Sequence, residues 1–338
     1  MHRHEFLRKL HEVSKPRTYF EVGINDGRSL TLSRVPTVAV DPAFKVVKEV
    51  RCDLHMIRET SDDFFAREEP FEHLQGAKVD LAFIDGMHLF DFALRDFINA
   101  EPHLDWTSVV VLDDMMPRNI PEAARDRHTT AWTGDVYKVI PVLQRYRPDL
   151  RLAVVDTQPT GVVVVLGVNP TNTALADKYD EILETYAVPD PQQVPDVLLN
   201  RTIAMRPEEL LEAPFWSSLV AAREDESTEF GPDELRATID ESLSLGSRTS
   251  LAGWQPEPQP APADNAVSGE VATPEAARAV TATVPTPQSA GGISQRITRA
   301  AAGNPGLWKL GKGVVNRLPL GWRRSIRKHV YQARRTHV

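Results

Sequence analysis

The stretch that decides the fold is residues 19–29, which read Tyr-Phe-Glu-Val-Gly-Ile-Asn-Asp-Gly-Arg-Ser. An apolar run typical of a strand leads into a turn with glycines at Gly23 and Gly27, and a short helix is predicted over 28–35. Glycine lets a backbone turn tightly and lets a ligand approach it closely. A dinucleotide fingerprint needs G-x-G-x-x-G because its backbone touches a pyrophosphate, and Asn25 stands where the second glycine would be. The turn therefore favours a ligand that lacks a pyrophosphate.

Further short apolar runs alternate with helical stretches on either side of this turn, which is typical of βα units around a mainly parallel sheet. The last two runs are separated by only six residues, 156–161. Six residues are too few for a helical crossover, so these strands should pair antiparallel as a hairpin. The predicted strands are 19–22, 38–40, 53–57, 79–84, 108–112, 152–155 and 162–167. Helices are predicted over 5–14, 61–68, 90–101, 135–145, 174–186, 207–211, 214–226 and 232–245.

Composition excludes several classes of protein. The chain has 338 residues, a net charge of −8 and one cysteine, Cys52, which cannot form an internal disulfide. Its longest purely apolar run, Val162–Leu166, is far shorter than a membrane-spanning helix requires. The N-terminus carries charges where a signal peptide would be apolar. These features predict a cytoplasmic protein.

The net charge averages two unlike regions. Residues 291–338 contain 11 Lys/Arg and no Asp/Glu, so the first 290 residues have 28 basic against 47 acidic side chains. We predict a catalytic domain over 1–170, a helical extension over 171–250, a Pro/Ala-rich disordered linker over 251–292 and a basic amphipathic tail over 293–338. The extension reads equally well as an appended cap or a loosely packed segment.

The basic tail predicts attachment to an anionic membrane surface, at the inner face, because its apolar positions recur at helical spacing beside arginines and lysines. A solvated tail that binds polyanions weakly or packs on the acidic body is an equal alternative. No specific nucleic-acid binding is expected.

Three features of the sequence resemble class I S-adenosylmethionine-dependent methyltransferases. They are the glycine turn, the count of seven strands with an antiparallel last strand, and the acidic residue after the second strand, Asp41. The resemblance implies a Rossmann-like seven-stranded α/β fold that binds S-adenosylmethionine. It implies that the methionine part lies against Glu21, Gly23, Asn25 and Gly27, and that Asp41 binds the ribose. Ser61 falls where such enzymes contact adenine, but it could equally cap the helix that follows.

Three carboxylates follow the fourth and fifth strands: Asp85, Asp113 and Asp114. The carboxyl ends of neighbouring strands meet at one edge, and converging carboxylates repel unless a cation or protons neutralise them. Hard oxygen ligands suit a divalent cation such as Mg²⁺; alternatively, Asp113 or Asp114 caps a turn while the other is solvated. The string I-D-G-x-H followed by D-D resembles cation-dependent O-methyltransferases, closest to the sugar O-methyltransferase and cephalosporin-hydroxylase-like branch.

His88, three residues after Asp85, is the predicted catalytic base, since imidazole titrates near neutral pH. Alternatively it hydrogen-bonds locally or helps hold adenine. The polar segment 118–133 is expected to cover the substrate. Substrate contacts are predicted for Trp132, which could stack on a sugar, and for Asp135 and Lys138, although Asp135 could also be a charge at a helix N-terminus.

The sequence therefore predicts an S-adenosylmethionine-dependent O-methyltransferase, assisted by Mg²⁺, that acts on a hydroxyl of a saccharide or glycoconjugate. In the mechanism, Asp85 and His88 are the catalytic residues. One alternative acceptor is a small molecule of the catechol or antibiotic type. The other alternative is a catalytically silent S-adenosylmethionine-binding module recruited to a membrane.

Overall fold

The predicted strands form one seven-stranded sheet in the part of the chain that the computed structural model describes, residues 1–225 and 230–257. The strands are β1 (Tyr19–Val22), β2 (Thr37–Val40), β3 (Leu54–Ile57), β4 (Val79–Ile84), β5 (Leu104–Leu112), β6 (Arg151–Val155) and β7 (Val162–Leu166). Their order is β3-β2-β1-β4-β5-β7-β6. The first five strands run parallel, and β7 pairs antiparallel with both β5 and β6. The predicted α/β class with an antiparallel last strand is confirmed.

Ten α-helices precede, connect or follow the strands within the described ranges. They are α1 (Arg3–Ser14), α2 (Ser61–Phe65), α3 (Phe90–Ala100), α4 (Val139–Tyr146), α5 (Ala174–Asp177), α6 (Tyr179–Tyr186), α7 (Asp196–Leu199), α8 (Pro207–Leu211), α9 (Phe215–Glu224) and α10 (Pro232–Leu243).

Three predicted helices are reduced to a 3₁₀ turn, begin as one, or divide into two in the structure. The helix predicted over 28–35 is one 3₁₀ turn, Leu30–Leu32, because Pro36 restricts the residue before it to extended backbone and stops further winding. The helix predicted over 135–145 begins as a 3₁₀ turn, Val136–Lys138, and Pro141 lies in the first turn of α4, where its missing N–H is not needed. The helix predicted over 174–186 divides at Lys178 into α5 and α6.

Two cores lie on opposite faces of the sheet, because successive side chains of a strand point to opposite sides. Phe20 of β1 packs in one core, whereas Tyr19 packs in the other. Helices α3, α4 and α6 contribute to the first core through Phe97, Leu143 and Tyr186; helices α1, α8, α9 and α10 contribute to the second through Phe6, Leu210, Leu219 and Ile239. The helices after residue 170 thus cover both faces of the sheet.

A bulge lies within β5, which begins at Leu104 and not at the predicted residue 108. Val79 pairs with Leu104, but Leu81 pairs with Val109, so β5 holds extra residues between these points. The Ser108 hydroxyl donates to the Val79 carbonyl at 2.6 Å and closes the bulge. The irregularity lies at the amino end of β4, away from the edge where the predicted site lies.

The predicted linker and tail fall largely outside the described residues, because 258–338 are not among them. The described start of the linker packs on the body: Leu251 is buried, and Trp254 packs beside Tyr137 and Tyr186. The domain boundaries at 170, 250 and 292 stay predictions. Among the described helices, none has the length and apolar character needed to cross a bilayer.

Candidate active site

The glycine turn after β1 is held against the ends of β2 and β4. The Gly23 N–H donates to the Val40 carbonyl at 3.0 Å, and Gly23 has a φ of +90°. A Cβ at this position would lie 1.9 Å from the Asp85 carbonyl oxygen, so both the conformation and the close approach require glycine. Gly27 and Asn25 also have positive φ, at +77° and +46°.

Asp41 lies at the carboxyl end of β2 and organises the same turn. Its carboxylate accepts the Asn25 N–H at 2.8 Å and the Ala43 N–H at 2.6 Å. A carboxylate has about four acceptor positions. About two remain on Asp41 for a further donor beside the glycine turn.

Glu21 is fully buried beneath the turn instead of lining its surface. The Tyr19 and Ser29 hydroxyls each donate to its carboxyl group at 2.7 Å. Burial raises the pKa of Glu21 to about 8, against the lowering effect of those two hydrogen bonds. In this position Glu21 links Tyr19 of β1 to Ser29, which follows the turn, and its carboxyl group is enclosed by protein.

Ser61 is the first residue of α2, and Thr60 caps the helix by accepting the Asp63 N–H at 3.1 Å. The Ser61 hydroxyl instead bonds to Asp96 of α3. Asp96 is fully buried, and burial raises its pKa to about 7. A Cβ on Gly86, after β4, would lie 3.3 Å from the Asp96 carboxyl group, so this pair stands beside the loop that follows β4.

The carboxyl ends of β4 and β5 bring Asp85, His88 and Asp114 together. One ligand atom from each lies within 4.8 Å of the others. His88 Nε2 lies 3.1 Å from Asp85 Oδ1, and His88 Nδ1 lies 3.1 Å from Asp114 Oδ2 and 2.9 Å from the Trp132 carbonyl. Both ring nitrogens therefore face oxygen acceptors, which is the environment of a doubly protonated imidazole.

The charges around His88 favour its protonated form. Burial lowers the pKa of His88, but the hydrogen bond to Asp85 and the charges of Asp114 and Asp85 outweigh burial and raise the pKa to about 9. Burial raises the pKa of Asp114, which also accepts the Thr160 hydroxyl at 2.5 Å.

Asp113 is separated from that group because it pairs with an arginine that the sequence analysis did not single out. Arg3, the first residue of α1, forms an ion pair with Asp113 and lies 3.4 Å from Asp85 Oδ2. The Asp113 carboxylate is almost fully buried. The only signal for Arg3 in the sequence is the electrostatic need of three converging carboxylates for a cation, which does not single out one arginine.

The loop after β5 packs directly on His88. The Trp132 ring stacks on the His88 ring, with centroids 5.4 Å apart, and Trp132 Nε1 donates to the Ala124 carbonyl at 2.6 Å. Gly134 has a φ of +61°, and a Cβ there would lie 1.6 Å from the His88 carbonyl oxygen. The Arg127 guanidinium also lies over the Trp132 ring, 5.7 Å from its centroid. Trp132 thus contacts the site through His88.

Asp135 and Lys138 lie inside the protein, and this differs from the substrate-facing position predicted for them. Both are 0% exposed, and Lys138 Nζ donates to Asp135 Oδ2 at 2.9 Å. Asp135 also accepts from Arg125 at 2.7 Å and from the Phe90 N–H at 2.9 Å. Arg125 in turn pairs with Asp91 at 2.6 Å. Their polar atoms are used to join the loop to the start of α3.

Comparison with known proteins gives one family whose model matches part of the chain. The family model described as a methyltransferase domain matches residues 20–115, which contain β1 to β5 and the cluster at their carboxyl ends. This segment of the chain is similar to methyltransferase domains. No curated protein matches the sequence.

Solved structures with a similar arrangement include two methyltransferases. One is PaMTH1 of Podospora anserina bound to S-adenosylhomocysteine, with 14% identity, 49% of this chain and 78% of that chain covered, and a TM-score of 0.37. The other is the O-methyltransferase TomG of Streptomyces achromogenes, involved in tomaymycin synthesis and in complex with S-adenosylmethionine, with 18% identity, 49% and 80% covered, and a TM-score of 0.36.

The seven-stranded sheet thus presents two adjoining features at one edge. The glycine turn and Asp41 offer a tight backbone and free carboxylate positions. Asp85, His88 and Asp114 offer oxygen and nitrogen ligands and a site for proton transfer. The Gly23 backbone touches the Asp85 backbone, so the two features are contiguous.

Proposed function

We propose that this protein is an S-adenosylmethionine-dependent O-methyltransferase whose acceptor hydroxyl is activated at Asp85 and His88. The observation that carries the proposal is the contact between the glycine turn and the Asp85 backbone within the segment that is similar to methyltransferase domains. This contact puts a donor-binding turn and a polar catalytic cluster side by side, as transfer between two bound molecules requires.

The residues around the turn fit the proposed methyl donor. Bound S-adenosylmethionine would supply a methyl group already activated on a sulfonium sulfur. Gly23, Asn25 and Gly27 would pass their backbone beside its methionine part, because no side chain at the two glycines blocks the approach. Asp41 keeps acceptor positions for ribose hydroxyls, and Ser61 is proposed to contact adenine. Glu21 supports the turn from beneath.

Asp85 and Asp114 are proposed to hold a divalent cation, Mg²⁺ in the first instance, with Asp113 as the third ligand. The clustering of Asp85 and Asp114 supports this proposal, because carboxylate oxygens suit hard divalent ions. A bound cation would supply positive charge that lowers the pKa of an acceptor hydroxyl. Asp113 could join only if it released Arg3.

His88 is proposed as the group that takes the proton of the acceptor hydroxyl, with Asp85 orienting its ring. Its contact with both Asp85 and Asp114 supports this role. Because both ring nitrogens face acceptors, His88 must give up one proton before it can accept another.

The proposed acceptor is a hydroxyl of a saccharide or glycoconjugate, as the resemblance of the I-D-G-x-H and D-D strings implies. A small aromatic acceptor is the second candidate. It is favoured by the apolar surface beside the cluster, where the Met87 side chain is 56% exposed next to His88 and Trp132 is half-buried. Aromatic and thioether side chains pack well against an aromatic ring.

The experiment is a calorimetric titration of the full chain with S-adenosylmethionine, followed by methyl-transfer assays on glycans and on catechols, with and without EDTA. Binding and transfer are expected. His88→Gln should lower kcat about 100-fold, whereas Asp233→Asn, a control on the exposed surface of α10, should not change it. Binding of S-adenosylmethionine without transfer to any acceptor would favour a catalytically silent binding module. Absence of S-adenosylmethionine binding would overturn both the methyltransferase and the silent module. Full activity in EDTA would remove the cation from the mechanism.

We further propose that residues 293–338 attach the cytoplasmic protein to an anionic membrane at its inner face. The support is compositional: 11 basic and no acidic residues from Gly291 onward. Flotation with anionic liposomes should recover the full chain, and a full-length variant with Arg323, Arg324, Arg327 and Lys328 changed to Gln should float less. Equal flotation of the two would contradict the attachment.

A further inference from the structure

The first turn of α1 inserts a permanent positive charge into the acidic cluster. Arg3 Nη1 pairs with Asp113 Oδ2 and lies 3.4 Å from Asp85 Oδ2, so one guanidinium contacts a carboxylate from each of β4 and β5. Arginine stays protonated at any pH at which a protein is folded. The guanidinium therefore offsets part of the negative charge of these two carboxylates without a metal ion.

The position of Arg3 is fixed by backbone contacts with the hairpin loop between β6 and β7. The Arg3 N–H donates to the Gln158 carbonyl at 2.9 Å, and the Gln158 N–H donates to the Met1 carbonyl at 2.8 Å. The same loop supplies Thr160, which donates to Asp114. Phe6 and Leu7 anchor α1 in the second core. One loop thus holds both Arg3 and a carboxylate of the cluster.

Charge compensation in the cluster is incomplete even with Arg3 present. Asp113 Oδ1 is buried and has no hydrogen-bond partner among the described residues. Three carboxylates share the guanidinium and His88, which leaves an excess negative charge if all three are ionised. Such a site attracts a further cation, but a cation at Asp85 would lie within a few Å of the guanidinium and be repelled by it.

We propose that Arg3 is a built-in counter-ion that competes with a divalent cation for Asp85 and Asp113, so that cation binding requires its side chain to leave. This inference rests on the proposed cation site and states how the chain regulates that site. The Arg3 side chain is 25% exposed, so it has a path to solvent while the backbone of α1 keeps its contacts. The guanidinium lowers the affinity for the metal, and it reduces the repulsion between the carboxylates when no metal is bound.

The test measures Mn²⁺ binding to the full chain, without methyl donor or acceptor, by electron paramagnetic resonance of free Mn²⁺ and by calorimetry. Arg3→Gln should bind Mn²⁺ roughly tenfold more tightly than the natural chain, because a unit charge beside the ion is removed. Arg3→Lys keeps the charge and should stay within about threefold of the natural chain. The matched control is Arg8→Gln, an exposed arginine on the same helix that pairs with Glu12, and it should leave the affinity unchanged.

The location of the tightened site is checked by adding Asp85→Asn to Arg3→Gln, which should abolish the gain. Equal affinity of the Arg3→Gln and natural chains would overturn the proposal, as would a failure of both to bind Mn²⁺. Circular dichroism and thermal unfolding verify that each variant is folded, and Arg3→Met replaces Arg3→Gln if the latter does not fold. The Mn²⁺ titration contains no donor or acceptor, so its result does not depend on methyl transfer. If the separate assay found no methyl transfer, the proposed activity would be refuted and this comparison of Mn²⁺ affinities would stand.

Discussion

Two charged regions lie side by side in this protein, and they use their charges differently. In the cluster at the strand ends, Asp85, Asp113 and Asp114 share Arg3 and His88, and the side chains of Arg3 and His88 are about one-quarter exposed. Beneath the loop after β5, Asp91 and Asp135 are matched by Arg125 and Lys138, and the Asp135 and Lys138 side chains are 0% exposed.

The difference shows that charge balance and exposure to solvent, more than residue type, distinguish a ligand-binding site from a group of structural ion pairs. Two acids and two bases under the loop satisfy each other, and the innermost pair, Asp135 and Lys138, is closed to solvent. At the strand ends, three acids exceed the charge that Arg3 supplies, and solvent still reaches Asp85. A region that is balanced and closed has little to offer a ligand, whereas an open region with excess charge can bind one.

The largest expected effect comes from breaking the balanced region. Asp135→Ala leaves Lys138 and Arg125 without their shared buried partner, which typically costs about 3–5 kcal/mol. We expect that loss in the free energy of unfolding measured by urea denaturation. Asp85→Ala, which removes a partly exposed carboxylate from the cluster with excess negative charge, should cost clearly less. Equal losses in the two variants would contradict the distinction between the regions.

A smaller effect is expected where the two regions touch. Gly134 lies one residue before Asp135, and an added Cβ would overlap the His88 carbonyl. Gly134→Ala should therefore cost about 1–3 kcal/mol in the free energy of unfolding through strain and displacement of the loop. Gly76→Ala is the matched control, because Gly76 also has a positive φ, +86°, but an added Cβ would meet nothing within 4 Å. If both variants lose the same stability, the loop does not press on His88.

Much of the fold could be predicted because its signals are local. Apolar runs fixed the strands, and the six-residue connection 156–161 fixed the antiparallel pairing of β6 with β7. The convergence of Asp85 and Asp114 followed from the rule that parallel strands end at one edge. The length of α4 was harder to predict, because the pattern over 135–145 does not distinguish a 3₁₀ turn from the start of an α-helix.

The rest of the site depends on contacts between distant parts of the chain. Arg3 reaches Asp85 across 82 positions in sequence, and only the packing of α1 on the sheet brings it there. Asp135 and Lys138 have the residue types of a substrate site, but their burial depends on Arg125 and on the start of α3. No local pattern encodes either fact, so sequence reasoning placed Lys138 at the substrate and left Arg3 out.

The smallest expected effect concerns Glu21, a carboxyl group that is closed to solvent like Asp135 and Lys138 but accepts hydrogen bonds from two hydroxyl groups. Because its pKa is about 8 when folded and near 4.5 when unfolded, the folded chain binds one more proton between about pH 5 and 8. Stability should therefore fall as pH rises through that range, by at most about 1.4 kcal/mol per pH unit from this group.

Glu21→Gln should flatten that slope in urea denaturation series at several pH values, because glutamine does not titrate. Glu122→Gln is the control: the Arg118 side chain lowers the pKa of Glu122, so its stabilising effect is lost only as pH falls below about 4.5. An unchanged slope in Glu21→Gln would mean that Glu21 is ionised in the folded protein. A positive charge near Glu21 would then have to balance its carboxylate, and Glu21 would resemble the carboxylates at the strand ends.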